Sequence, residues 1–216
     1  MNNERMSIQV SLSGFSFNGS DWIGSEKLFT TPEFQRRYSS VEISLLTPKV
    51  ALIPEPFFNP SNARAALEET VALDPSDLVE YVEIPSLVSA LVYSNSIGES
   101  LSRVLANTVL PASGEPVKVL PEMFYLLKEL DALTEYNKIV ASWADGSLHL
   151  VIAQGKSLSL ANTFRAPDFT TAQYFLFLAM KKLQLNPEVS TVCFRTPLSM
   201  EAEMSLYRYF KSVSRL

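Results

Sequence analysis

Cysteine and histidine are almost absent from this sequence, because Cys193 and His149 are the only ones among its 216 residues. A single cysteine excludes an intramolecular disulfide and favours a reducing compartment. One cysteine and one histidine also exclude a zinc site made from these residue types. A Ser-His-Asp triad would depend on His149, which we interpret instead as a satisfied or surface histidine in mid-strand. We interpret Cys193 as a core residue of a short strand.

An excess of positive charge and a long hydrophobic run are missing as well. The net charge is −5 and the basic residues are scattered, so we expect no nucleic acid partner. The longest clearly apolar run, residues 174–180, is far shorter than the roughly 20 residues that cross a bilayer. The N-terminus lacks the hydrophobic region of a signal peptide. We therefore expect a soluble cytoplasmic protein without membrane insertion.

Sequence motifs for phosphate binding and acyl transfer are also lacking. The chain contains no Walker A sequence, no Gly-x-Gly-x-x-Gly and no Gly-x-Ser-x-Gly. Two pairs of acids, Glu68-Glu69 and Glu201/Glu203, are typical of solvent-facing helix positions. Residue chemistry alone assigns no reaction to this protein.

A strong β-sheet pattern is present between residues 138 and 164. Asp145-Gly146 predicts a type I′ hairpin turn, because both of its central positions need positive φ. This register keeps the large apolar side chains on one face, and a slip by one residue would break it. The predicted opposite pairs are Trp143 with Leu148, Ala141 with Leu150, and Ile139 with Ile152.

A second turn is predicted immediately after this hairpin. We expect a three-residue loop, Ala153-Gln154-Gly155, with Gly155 in the left-handed conformation. The sequence therefore predicts three consecutive antiparallel strands. The loop predicts that Leu150 lies opposite Leu158, and Leu148 opposite Leu160.

The order of predicted elements repeats along the chain. Each half begins with paired strands and continues through helix, strand and helix, and the second half ends one strand earlier. We place the boundary near Tyr136-Asn137. This gives a first lobe at residues 1–136 and a second lobe at residues 137–216, which we expect to be truncated at its C-terminal end.

Several segments resemble a bacteroidete family of unknown function that has an actin-like ATPase fold. The most specific is residues 148–164, LHLVIAQGKSLSLANTF, and residues 14–17 and 50–54 are also similar. The resemblance covers most of the chain and extends to pilus-assembly and cell-division relatives of actin. It implies an α/β, ribonuclease H-like fold with two similar lobes, mixed sheets and flanking helices, but no substrate.

The same resemblance implies a nucleotide site in which a hairpin turn of each lobe binds phosphates. Backbone N–H groups of an Asp-x-Gly turn would contact the phosphates, and its carboxylate would orient Mg²⁺ or the attacking water. In the first turn, Ser13 and Gly14 fit this pattern. Leu12 stands at the acid position, so the first turn lacks its carboxylate.

The second turn and the adenosine segment depart from the pattern too. Gly146 fits the motif glycine, but Ala144 stands at the acid position and Asp145 is displaced by one residue. The third segment, Arg195-Thr196-Pro197, has no Gly-Gly pair, and its proline lacks an N–H donor. Three departures argue against ordinary ATP hydrolysis.

Two main functional hypotheses follow. The leading one is a non-catalytic binding or scaffold protein that needs no cofactor and binds a protein, peptide or small ligand. The alternative is a divergent nucleotide-binding protein or cryptic ATPase that binds ATP with magnesium through Ser13, Gly14, Asp145 and Gly146. A third is a peptide-binding groove, as in some pilus-assembly relatives. Aromatic residues such as Tyr174 and Phe175 are interpreted mainly as core, or else as part of a groove or partner surface.

Overall fold

The computed structural model describes residues 5–27, 30–108, 111 and 114–216. The chain divides into two compact units, Met1–Glu122 and Met123–Leu216, which are called unit 1 and unit 2 below. The proposed boundary between two actin-like lobes at residues 136 and 137 stays a prediction. None of the helices in the described ranges has the length and hydrophobicity that a bilayer crossing requires.

Unit 1 is organised around a mixed five-stranded sheet. In chain order its elements are β1 (Arg5–Val10), β2 (Gly14–Phe17), β3 (Ile23–Gly24), β4 (Ser40–Leu45), β5 (Val50–Pro54), α1 (Ala63–Glu68), β6 (Leu78–Ile84), β7 (Ser89–Asn95), α2 (Gly98–Thr108) and β8 (Val119–Pro121). The strand order is β3-β2-β1-β4-β8, in which β1 is antiparallel to β2 and parallel to β4. Alternate residues of β1, such as Ile8 and Val10, enter the core because strand side chains alternate between faces.

A second sheet of unit 1 is inserted between β4 and β8. Its three strands are antiparallel in the order β5-β7-β6. Helix α1 packs on this sheet through Ala63 and Leu67, which form a small core with Val92. The insertion makes β6 an outer strand, as β8 is in the larger sheet.

Unit 2 repeats the five-stranded plan. Helix α3 (Glu122–Glu129) begins at the division between the units. The elements that follow are β9 (Asn137–Ala144), β10 (Ser147–Gln154), β11 (Ser157–Arg165), α4 (Phe169–Lys182), β12 (Thr191–Phe194), α5 (Met200–Tyr207) and β13 (Ser212–Arg215). The strand order β11-β10-β9-β12-β13 matches that of unit 1, strand for strand. The predicted α/β fold with two similar mixed sheets is confirmed.

Short 3-10 turns connect several of these elements. They lie at Ser25–Lys27, Pro32–Gln35, Glu55–Phe57, Pro60–Asn62, Pro85–Leu87 and Pro187–Val189. Five of the six contain a proline, whose fixed φ suits the start of a helical turn.

The fifth strand of unit 2 corrects the expected strand count of its sheet, and the expected truncation of the lobe stays a prediction. Strand β13 pairs in parallel with β12, with Val213 opposite Val192. The expectation that the second sheet is one strand short is therefore wrong. The segment Ser212–Arg215 contains one apolar residue, Val213, which is too few to give an alternating pattern.

The first predicted hairpin has the predicted register. The pairs Trp143 with Leu148, Ala141 with Leu150 and Ile139 with Ile152 are all confirmed. Asp145 and Gly146 have φ values of 45° and 67°, as a type I′ turn requires. Helix α4 covers the apolar face of this hairpin.

The second predicted register is wrong. Gly155 is left-handed as expected, with φ of 58°, but Gln154 pairs with Ser157, so the loop has two residues rather than three. A bulge follows, because Ala153 is opposite Leu158 whereas Ile152 is opposite Leu160. A bulge adds one residue to one strand, and sequence alternation alone does not reveal where it lies. The observed partners of Leu148 and Leu150 are Phe164 and Asn162.

Candidate functional site

The first predicted phosphate turn lies between β1 and β2 in unit 1. The Ser11 N–H donates to Gly14 O at 2.9 Å, and the Ser13 N–H donates to Ser11 Oγ at 3.1 Å. Both amides therefore have an acceptor within the turn. Leu12, at the acid position, is 66% exposed. The acid position of the turn therefore contributes no carboxylate.

Close packing explains the glycine of this turn. A Cβ on Gly14 would lie 2.0 Å from the carbonyl oxygen of Ile23, because β2 and β3 approach each other there. The indole Nε1 of Trp22 donates to Ser13 Oγ at 2.9 Å, which holds the hydroxyl in place. The role of Ser13 and Gly14 as phosphate contacts stays a prediction.

The second predicted turn lies between β9 and β10 in unit 2. Asp145 is exposed, and the carbonyl of Gly146 accepts a hydrogen bond from the Ala166 N–H at 2.8 Å. The carbonyl of Ala166 in turn accepts from Trp143 Nε1 at 2.9 Å. Hairpin geometry therefore accounts for both turn residues. Their role as nucleotide contacts stays a prediction.

The segment after β12 is held by contacts of its own. Thr196 Oγ1 accepts the backbone N–H of Trp143 at 2.9 Å, and the Arg195 N–H donates to Ala141 O at 2.9 Å. The Arg195 guanidinium lies 4.5 Å from the centre of the Tyr125 ring, a cation–π distance. These contacts give the segment a structural role in unit 2.

His149 and Cys193 are both buried in the sheet of unit 2. His149 Nδ1 lies 3.0 Å from Thr163 Oγ1, on a face that also carries Ser142. Burial, with a smaller contribution from Glu135, raises the pKa of the Cys193 thiol to about 11. Cys193 is therefore a neutral core residue at physiological pH, and the prediction is confirmed.

A cleft in unit 1, which sequence reasoning missed, has the geometry of a binding site. Its volume is about 570 Å³, within the range of about 300–1,000 Å³ typical of ligand sites. Strands β6 and β7, helix α2 and the segment leading into β8 supply its lining: Glu80, Tyr81, Val82, Tyr93, Asn95, Ser102, Arg103, Ala106 and residues 116–120.

A polar cluster forms part of this lining. The Glu80 carboxylate accepts from Tyr93 OH at 3.0 Å and from Asn95 Nδ2 at 3.0 Å. Asn95 Nδ2 also donates to Ser102 Oγ at 2.8 Å. The β6–β7 register produces this cluster, because Glu80 lies directly opposite Tyr93, and Asn95 lies two residues further along the same face.

One atom of the cluster has its hydrogen-bonding capacity unused. Asn95 is 3% exposed, and its Oδ1 has no hydrogen-bond partner among the described residues. A buried acceptor without a partner costs about 1–3 kcal/mol. This oxygen is not exposed to solvent, so a ligand in the cleft would reach it only after the surrounding side chains move.

Charge and strand edges complete the description of the cleft. Arg103 and Lys118 line it and are both exposed, so two basic side chains lie at the cleft although the whole chain is acidic. Outer strands β6 and β8 both contribute residues to its lining. An outer strand presents backbone N–H and C=O groups to which an extended segment can pair.

Comparison with known proteins assigns the class of fold. A Bacteroides thetaiotaomicron protein, described as having an actin-like ATPase fold and unknown function, is similar with a TM-score of 0.70 and 16% identity. The match covers 99% of this chain and 91% of that one. This chain therefore has an actin-like ATPase fold. It belongs to the family described as "Protein of unknown function (DUF3822)", whose model matches residues 25–213.

Two further solved structures come from protein assemblies. One is the cytoplasmic domain of EpsL, an inner membrane component of the type II secretion system of Vibrio cholerae. It has a TM-score of 0.50 and 15% identity, and the match covers 90% of this chain and 83% of that one. The other is a chain of the PilM–PilN type IV pilus biogenesis complex, with a TM-score of 0.52, 12% identity, and coverage of 99% and 88%. No curated protein matches this sequence.

Proposed function

We propose that this protein is a non-catalytic protein-binding module and that the cleft of unit 1 binds an extended segment of a partner protein. The observation that carries the proposal is the cleft itself, whose lining includes residues of two outer strands, β6 and β8. An extended peptide backbone can pair with the open edge of such a strand.

The charge of the cleft favours an acidic segment. Arg103 on α2 and Lys118 before β8 bring basic side chains to the cleft, and the Glu80 carboxylate is bonded to Tyr93 and Asn95. A carboxylate on the partner would be attracted to the two cations, and this attraction would weaken as salt is added.

The structural neighbours support this class of partner. EpsL is a component of a secretion system and PilM–PilN is a pilus biogenesis complex, so both similar chains belong to protein assemblies. The degenerate phosphate turns also support a role without hydrolysis, since Leu12 and Ala144 stand at the positions of the two acids.

Affinity capture with a matched pair of variants tests the proposal. The tagged full chain, the double variant Arg103→Glu/Lys118→Glu and the control Lys181→Glu/Lys182→Glu are each incubated with native lysate. The control makes the same charge change on exposed lysines of α4. We expect a protein recovered by the wild type and control to fall at least tenfold with the cleft variant. Equal recovery by all three would reject the cleft as the binding site.

The alternative proposal is nucleotide binding through Ser13, Gly14, Asp145 and Gly146. It predicts saturable binding of Mg·ATP and an increase in melting temperature, because a ligand that binds only the native state raises its stability. Asp145→Asn keeps a residue that tolerates positive φ while removing the charge. Under the alternative proposal this variant weakens Mg·ATP binding, and under the leading proposal it changes nothing.

A further inference from the structure

Strand β11 is an outer strand with a long accessible edge. Its nine residues pair with β10 on one side, and in the described part of the chain no strand lies on the other side. Such an edge leaves backbone N–H and C=O groups for another chain. The Thr163 N–H already donates to Asn162 Oδ1 at 2.8 Å, so pairing through this donor requires that bond to open. The regular portion runs from Leu160 to Arg165, after the bulge.

This edge lacks the features that usually prevent association. It contains no proline, lysine or acid, and its single charge, Arg165, is at its end. Two outer strands of unit 1 differ: β6 carries Glu80 and Glu83, and β8 has only three residues and ends at Pro121. Charge, proline and shortness are the common protections of an edge strand, and β11 has none within its regular portion.

An apolar surface continues from this edge onto α4. Phe164 of β11 stacks on Phe175 with ring centres 4.8 Å apart, and Tyr174 contacts Phe175 at 5.4 Å. Tyr174 is 61% exposed. A strand placed beside β11 would therefore cover apolar surface as well as form backbone hydrogen bonds.

The side chains of β11 are symmetric about Asn162. Residues 160–164 read Leu-Ala-Asn-Thr-Phe, with a large apolar residue at each end, a small residue inside each, and an amide at the centre. Leu160 and Phe164 both pack against the core of unit 2, so they lie on one face. Reversing the strand leaves this pattern of sizes and polarity unchanged, so a second copy placed antiparallel brings large apolar residues opposite each other, as a self-complementary twofold contact allows.

We propose that two copies of this chain associate through β11, antiparallel, about a twofold axis at Asn162. Leu160 then lies opposite Phe164 of the partner subunit, and Ala161 opposite Thr163 of the partner subunit. Directly opposite residues of antiparallel strands share a face, so apolar residues meet on the core side. Arg165 lies opposite Ser159 of the partner subunit, so no like charges oppose each other. The unit 2 sheets of the two copies, five strands each, then become one continuous sheet.

Light scattering after size exclusion tests the association with the full chain. We expect the wild type to have twice the 24.1 kDa monomer mass at high concentration. Asn162→Lys would place two lysines opposite each other at the axis and should restore the monomer mass. Ser86→Lys adds the same charge at an exposed position of unit 1 and should remain dimeric. Circular dichroism verifies that both variants are folded.

Cysteine cross-linking tests the register. Asn162→Cys brings two thiols opposite each other at the axis, where Cβ atoms about 4.5–5.5 Å apart are close to disulfide range. Thr163→Cys has no thiol opposite it, since its partner is Ala161. We expect oxidation to cross-link Asn162→Cys and to leave Thr163→Cys mostly uncross-linked. A monomeric wild type, a dimer that persists in Asn162→Lys, or equal cross-linking of both cysteine variants would overturn the proposal.

Discussion

The inserted sheet of unit 1 is anchored by Asp77, and the removal of this carboxylate should destabilise the protein by a predictable amount. Asp77 Oδ2 accepts from Lys49 Nζ at 2.5 Å and from the Asp74 N–H at 2.6 Å. Its Oδ1 accepts from Ser94 Oγ at 2.7 Å. These bonds connect the segments that enter β5 and β6 with β7, and β6 and β7 line the cleft. The Asp77 side chain is 10% exposed, so water screens the bonds only weakly.

The lowered pKa of Asp77 gives the size of the expected loss in unfolding free energy. Burial raises this pKa, but the hydrogen bonds from Lys49, Ser94 and the Asp74 amide outweigh burial and lower it from 3.8 to about 2. Each pKa unit corresponds to about 1.4 kcal/mol, so the ionised carboxylate contributes about 2 kcal/mol to the free energy of unfolding. Because the folded pKa is the lower one, this stability is present above about pH 4. It is lost as the pH falls from about 4 to about 2.

Urea unfolding of Asp77→Asn at two pH values is the assay. At pH 7 we expect the variant to lose about 2 kcal/mol relative to the wild type, and below pH 3 we expect the difference to shrink. Asp131→Asn, at an exposed loop position, is the control and should unfold as the wild type does. An Asp77→Asn variant as stable as wild type at pH 7, or an equal deficit at both pH values, would refute the reasoning.

Three further predictions concern packing and burial. Gly14→Ala should lower the melting temperature strongly, because its Cβ would meet the Ile23 carbonyl oxygen at 2.0 Å. The Cβ of Gly114→Ala meets no atom within 4 Å, so this variant should lose only about 1 kcal/mol of unfolding free energy, from its positive φ. Equal losses would contradict this. Cys193 should resist iodoacetamide at pH 8 until the protein is unfolded, since its pKa is about 11; alkylation of the native protein would be inconsistent. Ser142→Ala should leave the melting temperature unchanged or raise it, because Ser142 Oγ is buried without a hydrogen-bond partner in the described structure; a clear decrease would argue for an unseen partner.

The reliability of the sequence-based register depended on the kind of turn. Asp145-Gly146 allows one turn type, so the positions of Trp143 and Leu148 followed directly. Gly155 fits both two-residue and three-residue loops. The strand runs on to Gln154, so the loop lies later than predicted and every pair of β10 with β11 is displaced, and the bulge beside Leu158 displaces the pairs beyond it by one more residue. A bulge depends on contacts along the whole strand, which no short window of sequence contains.

Short elements and exposed apolar residues were harder to predict. Strand β13 has one buried apolar residue, Val213, and is defined mainly by its pairing with β12. In α5, the residues Met200, Met204 and Tyr207 form an apolar stripe in the sequence but are exposed, and the helix is anchored by Ala202 and Leu206 instead. Helix periodicity gives the stripes of a helix, but tertiary packing decides which one is buried.

The candidate cleft could not have been predicted from a local motif. Glu80, Asn95, Ser102 and Lys118 come from four separate segments, and each is ordinary in its own sequence context. Their convergence depends on the β6–β7 register and on the insertion of a second sheet between β4 and β8. By contrast, the departures of the phosphate turns from the Asp-x-Gly pattern were readable directly, because that motif occupies consecutive positions.

Isothermal titration of the full chain with Mg·ATP tests most directly whether this protein has an actin-like fold but does not bind ATP. We predict no saturable heat at millimolar nucleotide and no change in melting temperature. Saturable binding that Asp145→Asn weakens, while Arg103→Glu/Lys118→Glu leaves it intact, would contradict this account.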